Sequence, residues 1–175
     1  MSKLMCLAWH VYLGGRCGSA EQLFVSETRR ARTYAAAMDP ANDEQARTRV
    51  EALHAADTAA RELGIALASA GAGTAEVSMT VGEQHLGSLG QLHGGVLFTL
   101  ADVAMSYAGN SRGNPSMAIH AAIDFVDAAA LGDVLVAQAV EHSLRGKAGI
   151  YDVAIRTAAE LRLIATFRGN TLRIS

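Results

Sequence analysis

The sequence is poor in cysteine and proline, with two of each among 175 residues. Both cysteines, Cys6 and Cys17, lie near the start, so the chain beyond them has no thiol for a disulfide or a thiolate zinc site. The apolar run after Met1 outlines a signal peptide, but His10 interrupts it and no clear cleavage site follows. These features together favour a cytoplasmic protein.

The sequence also lacks an excess of charge of one sign and a long apolar run. Fifteen basic and seventeen acidic residues give a net charge of −2, so we expect no nucleic-acid partner. No run approaches the 18 or so apolar residues that a membrane-spanning helix needs, and we expect no membrane insertion. The six histidines are scattered without metal-ligand spacing, so we also expect no metal.

The composition predicts one compact domain with a short appendage, because half of the residues are hydrophobic and the length suits a single domain. Residues 1–37 carry five basic and two acidic side chains and show no sustained periodicity. We interpret them as an N-terminal extension of unknown role and assign the domain to residues 38–175. Within it, apolar residues three and four apart predict one amphipathic helix over 41–63.

The rest of the domain alternates between strand patterns and one apolar helix. Residues 65–70 and 74–81 predict a hairpin, 82–92 a loop, and 94–109 a helix that is apolar on every side and therefore buried. Alternating patterns predict four further strands, with hairpin turns at 131–133 and 145–147. In the last of these strands, the alternation predicts that Ile164 faces away from the core. The strands lie near 117–127, 133–143, 148–157 and 161–169. This order, without βαβ repeats, predicts an α+β fold in which an antiparallel sheet wraps around one helix.

Asp102 is the only carboxylate between Leu92 and Ser111, and it lies in the middle of the apolar helix. Burying an unpaired carboxylate costs several kcal/mol, so its presence needs an explanation. Either Asp102 points to a polar edge of the domain or pairs with Arg112 or another cation, or it is retained for chemistry.

His93, Gly94 and Gly95 stand where the predicted loop becomes this helix. Free backbone N–H groups and the positive end of the helix dipole meet there, and glycine allows another molecule to approach the backbone. Such a turn can hold a developing oxyanion. In the alternative interpretation, His93 only caps the helix.

Gly94 and Asp102 are too far apart to act together within one helix. Eight residues correspond to about 12 Å of rise and about 80° of rotation. If two copies pack their helices antiparallel about a two-fold axis, Asp102 of one copy faces Gly94 of the other. The spacing therefore predicts a site shared between two subunits.

The segment from His93 to Asp102 and five later motifs together resemble the hotdog-fold acyl-CoA thioesterases of the PaaI type, which are associated with phenylacetate degradation. The resemblance extends over roughly residues 45–174. The later motifs are Asn110-Ser111-Arg112-Gly113, Ile123-Asp124-Phe125, Gly132-Asp133, Gly149-Ile150-Tyr151-Asp152-Val153 and Phe167-Arg168-Gly169.

The resemblance implies hydrolysis of an acyl-CoA thioester to a free acid and coenzyme A, by dimers that pair into tetramers. It implies that Asp102 is the nucleophile or general base, that the Gly94 amide polarises the thioester carbonyl, and that His93 positions the neighbouring loop. Coenzyme A enters as part of the substrate, so no cofactor is expected. Phenylacetyl, hydroxyphenylacetyl or medium-chain acyl groups are the expected substrates.

Further residues are candidates for substrate contact, and two positions depart from the family pattern. The family usually has asparagine where this chain has Gly87, and Ser88, Gln91 or Gln84 are possible substitutes. It often has a basic residue and proline where this chain has Asp127 and Ala128. The substrate-binding candidates are Gly87, Gly95, Asn110, Arg145, Lys147 and Arg168.

Two alternative functions remain on the same fold. Gly87 favours a regulatory module that binds acyl-CoA without hydrolysing it. A hotdog hydratase or dehydratase is the other alternative, although it needs a catalytic histidine paired with an acid in a different arrangement. Neither alternative changes the predicted fold.

Overall fold

A computed structural model of the protein describes residues 40–174. The predicted extension over residues 1–37, with both cysteines, lies outside the described residues, and its assignment stays a prediction. The elements are α1 (Pro40–Ala56), α2 (Thr58–Glu62), β1 (Ala66–Gly71), β2 (Thr74–Thr80), a 3-10 turn (Glu83–His85), α3 (Gly94–Asn110), β3 (Ser116–Phe125), β4 (Val134–Arg145), β5 (Ala148–Thr157) and β6 (Leu163–Arg173).

The six strands form one antiparallel sheet in the order β1-β2-β4-β5-β6-β3. One face of the sheet is apolar because alternate residues point the same way. In β2, Ala75, Val77 and Met79 are buried while Glu76 and Ser78 between them are partly exposed. The alternation therefore identified the core face of β2 correctly.

Helix α3 packs its apolar side against the inner face of this sheet. Leu100, Ala104 and Met105 have no exposed surface. A stripe along the opposite side remains at least partly exposed and consists of Gly95, Phe98, Thr99, Asp102 and Ser106. The helix is thus buried over most but not all of its circumference. The arrangement confirms the predicted sheet around a central helix.

The predicted single helix over residues 41–63 is wrong, because the chain breaks at Asp57. That residue is extended (φ −81°, ψ 95°), and its Oδ1 atom accepts a hydrogen bond of 2.9 Å from the Ala60 amide. Aspartate is favoured at such an N-cap position. The apolar spacing continues into α2 and conceals the break, since Ala60 is as fully buried as Val50 in α1.

Two expectations about the later strands are also wrong. Residues 131–133 form a turn with Gly132 at φ +88°, but they do not close a hairpin, because β3 pairs only with β6 at the far edge of the sheet. Ile164 is fully buried rather than facing away from the core. A register shift beside Arg156 in the pairing of β5 with β6 interrupts the alternation there.

No helix within residues 40–174 is both long enough and apolar enough to cross a membrane.

Candidate active site

The turn that begins α3 contains one backbone amide without a partner. His93 is the N-cap (φ −69°, ψ 133°), and its Nδ1 atom accepts a hydrogen bond of 2.9 Å from the Gly95 amide. Within residues 40–174 the Gly94 amide donates to no acceptor. This amide lies at the positive end of the helix dipole and is free to bind an oxygen atom. The structure therefore leaves Gly94 as the open donor, whereas the Gly95 amide is occupied.

His85 fixes this turn from the preceding loop. Its Nδ1 atom accepts from the Gly82 amide at 3.0 Å, and its carbonyl oxygen accepts from the His93 amide at 2.9 Å. The residue is 2% exposed and ends the 3-10 turn, so it is a buried part of the loop. Sequence reasoning missed this role because an isolated histidine in a loop has no periodic pattern.

Gly87 lies next to His93, and its backbone conformation suits residues other than glycine. It is not among the glycines with positive φ, and its amide donates to the Gln91 carbonyl at 2.8 Å. A Cβ atom at this position would lie 3.6 Å from His93 Cδ2, which is an ordinary contact distance. The possible polar substitutes Ser88, Gln91 and Gln84 are all at least partly exposed.

Asp102 is partly buried on the exposed stripe of α3, and burial raises the pKa of its carboxyl group. Within residues 40–174 it forms no hydrogen bond and no ion pair. The interpretation that Asp102 pairs with Arg112 is wrong, because Arg112 binds Glu141 through two bonds of 2.9 and 3.1 Å. Both Asp102 and Gly94 lie on α3, so the separation of about 12 Å expected from helix geometry applies, at about 1.5 Å per residue.

A cavity of about 340 Å³ opens beside Gly94. Phe125, at the end of β3, covers the glycine: a Cβ atom on Gly94 would lie 3.1 Å from the Phe125 ring. Sequence reasoning used Phe125 only as part of a motif, because the contact joins two segments that are distant in sequence. The cavity is lined by Gln91, Leu92, Gly94, Leu97, Phe125, Val126, Asp127, Ala128 and Ala129.

Asn110 and Arg168 are engaged elsewhere in the fold. The amide nitrogen of Asn110 donates to the carbonyls of Ser106 and Ser116, and its Oδ1 atom accepts from the Ser116 amide, so it joins α3 to β3. Arg168 forms two bonds of 2.6 and 2.8 Å with Asp152. To bind a phosphate, Arg168 would have to exchange this ion pair.

Arg145 and Lys147 are exposed on the β4–β5 hairpin. The Lys147 carbonyl accepts from the Arg173 amide, and the neighbouring Ile174 amide donates to Pro115, which follows α3. The hairpin therefore lies at the opposite end of α3 from Gly94 in the same chain. Their predicted role in substrate binding, like that of Asn110 and Arg168, stays a prediction.

The described part of the chain contains no candidate metal site. No three histidine, aspartate or glutamate side chains among residues 40–174 lie close enough to share an ion.

Comparison with known proteins identifies the family. Residues 89–163 match the profile of the thioesterase superfamily. The acyl-coenzyme A thioesterase PaaI of Escherichia coli (strain K12) is 39% identical over 123 residues, which cover 70% of this chain and 87% of that protein. The chain belongs to the thioesterase superfamily.

Solved structures of this superfamily share the fold. The structure of E. coli PaaI, from the phenylacetic acid degradation operon, superposes with a TM-score of 0.74 at 37% identity and covers 76% of this chain and 96% of that one. A mutant of the phenylacetic acid degradation protein PaaI from Thermus thermophilus gives 0.65 at 33% identity, covering 67% and 100%. These matches confirm the resemblance to PaaI-type hotdog thioesterases and the hotdog fold.

Proposed function

We propose that the protein hydrolyses an acyl-CoA thioester, with the Gly94 amide as oxyanion donor and Asp102 as base or nucleophile. The observation that carries the proposal is the Gly94 amide at the start of α3, which has no acceptor among residues 40–174. A preorganised N–H directed at a developing oxyanion is among the largest catalytic contributions known. The second supporting observation is the Asp102 carboxylate, which is partly buried on a helix that contains no lysine or arginine.

Two routes use these groups. In the first, the Asp102 carboxylate takes a proton from water, the hydroxide attacks the thioester carbon, and the oxyanion binds the Gly94 N–H. When the C–S bond breaks, the proton passes to the coenzyme A thiolate. In the second, the carboxylate attacks directly, expels the thiolate and forms an anhydride that water then hydrolyses. The released acid is the same in both routes.

A second copy of the chain is part of the proposal, because one helix cannot bring both groups to one carbonyl. Strand β3 leaves one backbone edge unpaired in the described sheet and carries exposed Met117 and Ile119. The exposed stripe of α3 lies beside it and includes Phe98, midway between Gly94 and Asp102. A two-fold axis near Phe98 places Asp102 of one copy opposite Gly94 of the other. We extend this to a homotetramer of two such dimers.

The acyl group that we propose is phenylacetyl, hydroxyphenylacetyl or a medium chain. This proposal is supported by the similarity to the E. coli acyl-coenzyme A thioesterase PaaI, a protein from the phenylacetic acid degradation operon. The scarcity of cysteine supports a cytoplasmic location.

The decisive experiment incubates the full-length protein with a panel of acyl-CoAs and a reagent that reports free thiol. Thiol release with phenylacetyl-CoA supports the proposal. Binding without thiol release would identify a regulatory module, and an absorbance change at the acyl double bond of an enoyl-CoA would identify a hydratase. Sedimentation of the same sample tests the oligomeric state, and a purely monomeric active species would contradict the shared site.

A further inference from the structure

The side chain of His85 ties the loop before α3 to the end of β2. Its Nδ1 atom accepts from the Gly82 amide at 3.0 Å, and its own amide donates to the Gly82 carbonyl at 3.0 Å. Gly82 follows Val81, whose amide and carbonyl each form a hydrogen bond of 2.9 Å with the turn at 131–133. The ring of His85 is therefore attached to a segment that is itself held by the rest of the fold.

The loop that starts at His85 closes on itself where α3 begins. The His85 carbonyl accepts from the His93 amide at 2.9 Å. Leu86 and Leu92, the next residues inward on either side, form an antiparallel bridge. Residues 85 and 93 thus lie side by side, so a displacement of His85 is transmitted to His93.

His93 in turn carries one half of the peptide unit that contains the Gly94 N–H. The carbonyl of that unit accepts from the Val96 amide at 2.9 Å, which ties it to the first turn of α3. The hydrogen bond from the His93 amide to His85 holds the other side of His93. The direction of the Gly94 N–H therefore depends on the helix on one side and on His85 on the other.

The imidazole of His85 contributes to this loop through one of its two nitrogens. Because Nδ1 accepts a hydrogen bond from an amide, the ring hydrogen lies on Nε2. The Nε2 atom is buried and has no hydrogen-bond partner among residues 40–174. A buried N–H without an acceptor costs folding free energy, so the favourable polar contact of the ring is the one at Nδ1.

Resting on the proposed function, we propose that His85 is a positioning residue for thioester hydrolysis, whose Nδ1 acceptor fixes the loop that aims the Gly94 N–H at the thioester oxygen. His85 itself does not touch the substrate. A small displacement of a catalytic donor has a large effect on the rate, because the donor must lie at hydrogen-bond distance from the oxyanion.

Three substitutions separate the two ring nitrogens of His85. In His85→Asn the Oδ1 atom is as many bonds from Cα as Nδ1 and can accept in its place, whereas His85→Gln has a polar group only at the ε position and His85→Leu has none. We expect kcat to fall about tenfold in the Gln and Leu variants, less than the loss of about 10²–10³ on removing an oxyanion donor. KM should change little, and His85→Asn should retain most of the wild-type kcat.

Two non-hydrolysable ligands test whether the effect reaches the Gly94 amide. A ketone analogue of phenylacetyl-CoA, in which CH₂ replaces the thioester sulfur, keeps the carbonyl oxygen, and a thioether analogue lacks this oxygen. His85→Leu should weaken binding of the ketone and leave the Kd of the thioether unchanged, because only the ketone can accept from Gly94. An equal loss for both ligands would show that His85 supports the site in general, and the positioning role would be overturned.

Val50→Ala is the control for a general loss of stability. Val50 is fully buried in α1, outside the loop, so its truncation lowers Tm without removing a hydrogen bond of the loop. Well below the Tm of every variant, Val50→Ala should keep the wild-type kcat and the wild-type preference for the ketone over the thioether.

The outcomes separate this inference from the function on which it rests. If the folded wild type releases no thiol from any acyl-CoA, the proposed hydrolysis fails, and the ketone preference of His85→Leu still decides the positioning role. If thiol is released but His85→Asn loses as much kcat as His85→Leu, or Val50→Ala loses the ketone preference to the same degree, the positioning role is overturned while the hydrolysis stands.

Discussion

The Nδ1 atom of His93 accepts a hydrogen bond of 2.9 Å from the amide of Gly95 and leaves the adjacent Gly94 amide without an acceptor among residues 40–174. The ring nitrogen is thus used as a hydrogen-bond acceptor rather than presented for proton transfer. The cap therefore decides which of the two glycine amides stays open for the oxyanion that we propose to bind there.

This arrangement predicts how His93 variants behave. Asparagine is a strong N-cap residue, so His93→Asn should keep both the fold and most of the activity. His93→Ala removes the cap and should lower the free energy of unfolding by about 1 kcal/mol, with a fall in kcat. Urea denaturation and thiol-release kinetics measure the two effects. A large loss of kcat in a fully stable His93→Asn protein would instead assign the imidazole a chemical role.

Asp102→Asn should abolish most of the activity without loss of the fold. The positioned base is removed while the shape of the side chain is kept, so kcat should fall by about 10²–10⁴ and binding of a non-hydrolysable acyl-CoA analogue should persist. Ser106→Ala, one turn further along the same exposed stripe, serves as the control. Retention of more than about a tenth of wild-type turnover, well short of that range, would contradict the role of Asp102.

The same substitution should stabilise the protein at neutral pH. Burial raises the folded-state pKa of Asp102, so the folded protein binds this proton more tightly than the unfolded chain. The resulting stabilisation is present below the unfolded pKa and is lost as the pH rises through the folded value. Thermal unfolding at about pH 7, well above the ordinary pKa of an aspartate, should therefore show an equal or higher Tm for Asp102→Asn. A clear drop in Tm would reveal that a cation pairs with Asp102 in the assembled protein.

The raised pKa also sets the acid limb of the activity profile. The carboxylate form is required, so kcat should decline at a higher pH than for an ordinary aspartate. A kcat that stays flat down to the usual aspartate range would contradict the burial of Asp102 in the active species.

The strands and α3 were predictable because their signals are local. The period of two in β2 identified Ala75, Val77 and Met79 as core residues, and the unbroken apolar pattern located α3 to within one residue. The placement of β3 beside β6 was not predictable, because strand partners are chosen by contacts across the whole domain. The sequence after Phe125 gives no indication that the chain crosses the sheet.

The geometry of the candidate site was predictable where it depends on one local segment, while the roles of its residues stay predictions. Gly94 and Asp102 follow from their positions along one helix, since rise and rotation per residue are fixed. The contact of Phe125 with Gly94 was not predictable, because it joins two segments that are distant in sequence. The ion pair of Arg168 with Asp152 depends on the register of two strands, which only the pairing reveals.

Mixed subunits test whether Gly94 and Asp102 act across an interface. Gly94→Pro removes the N–H, and the extended His93 (φ −69°, ψ 133°) is compatible with a following proline at the first helical position. The Phe125 ring has to shift slightly, since it lies 3.1 Å from a Cβ at this position. Combining this chain with Asp102→Asn should restore part of the activity after subunit exchange, because some sites then have two intact groups.

Each parent variant must first be shown by circular dichroism to fold and by sedimentation to associate. Recovery should depend on the time allowed for exchange. Verified mixed dimers that stay inactive would argue that both groups act within one chain.

Gly87→Asn should raise kcat/KM. Gly87 is not at positive φ, and a Cβ atom there would lie 3.6 Å from His93 Cδ2, so an asparagine fits without backbone strain. Its side-chain amide would lie beside the turn that begins α3 at Gly94. One neutral hydrogen bond made in the transition state contributes about 0.5–1.5 kcal/mol, which corresponds to a rate factor of roughly 2–13. Gly87→Ala is the matched control, since it adds the Cβ without the amide and should leave kcat/KM unchanged. A loss of activity in both variants would show that substrate or a second copy of the chain occupies the space beside Gly87. An unchanged rate in both variants would show that the loop at this position does not reach the thioester.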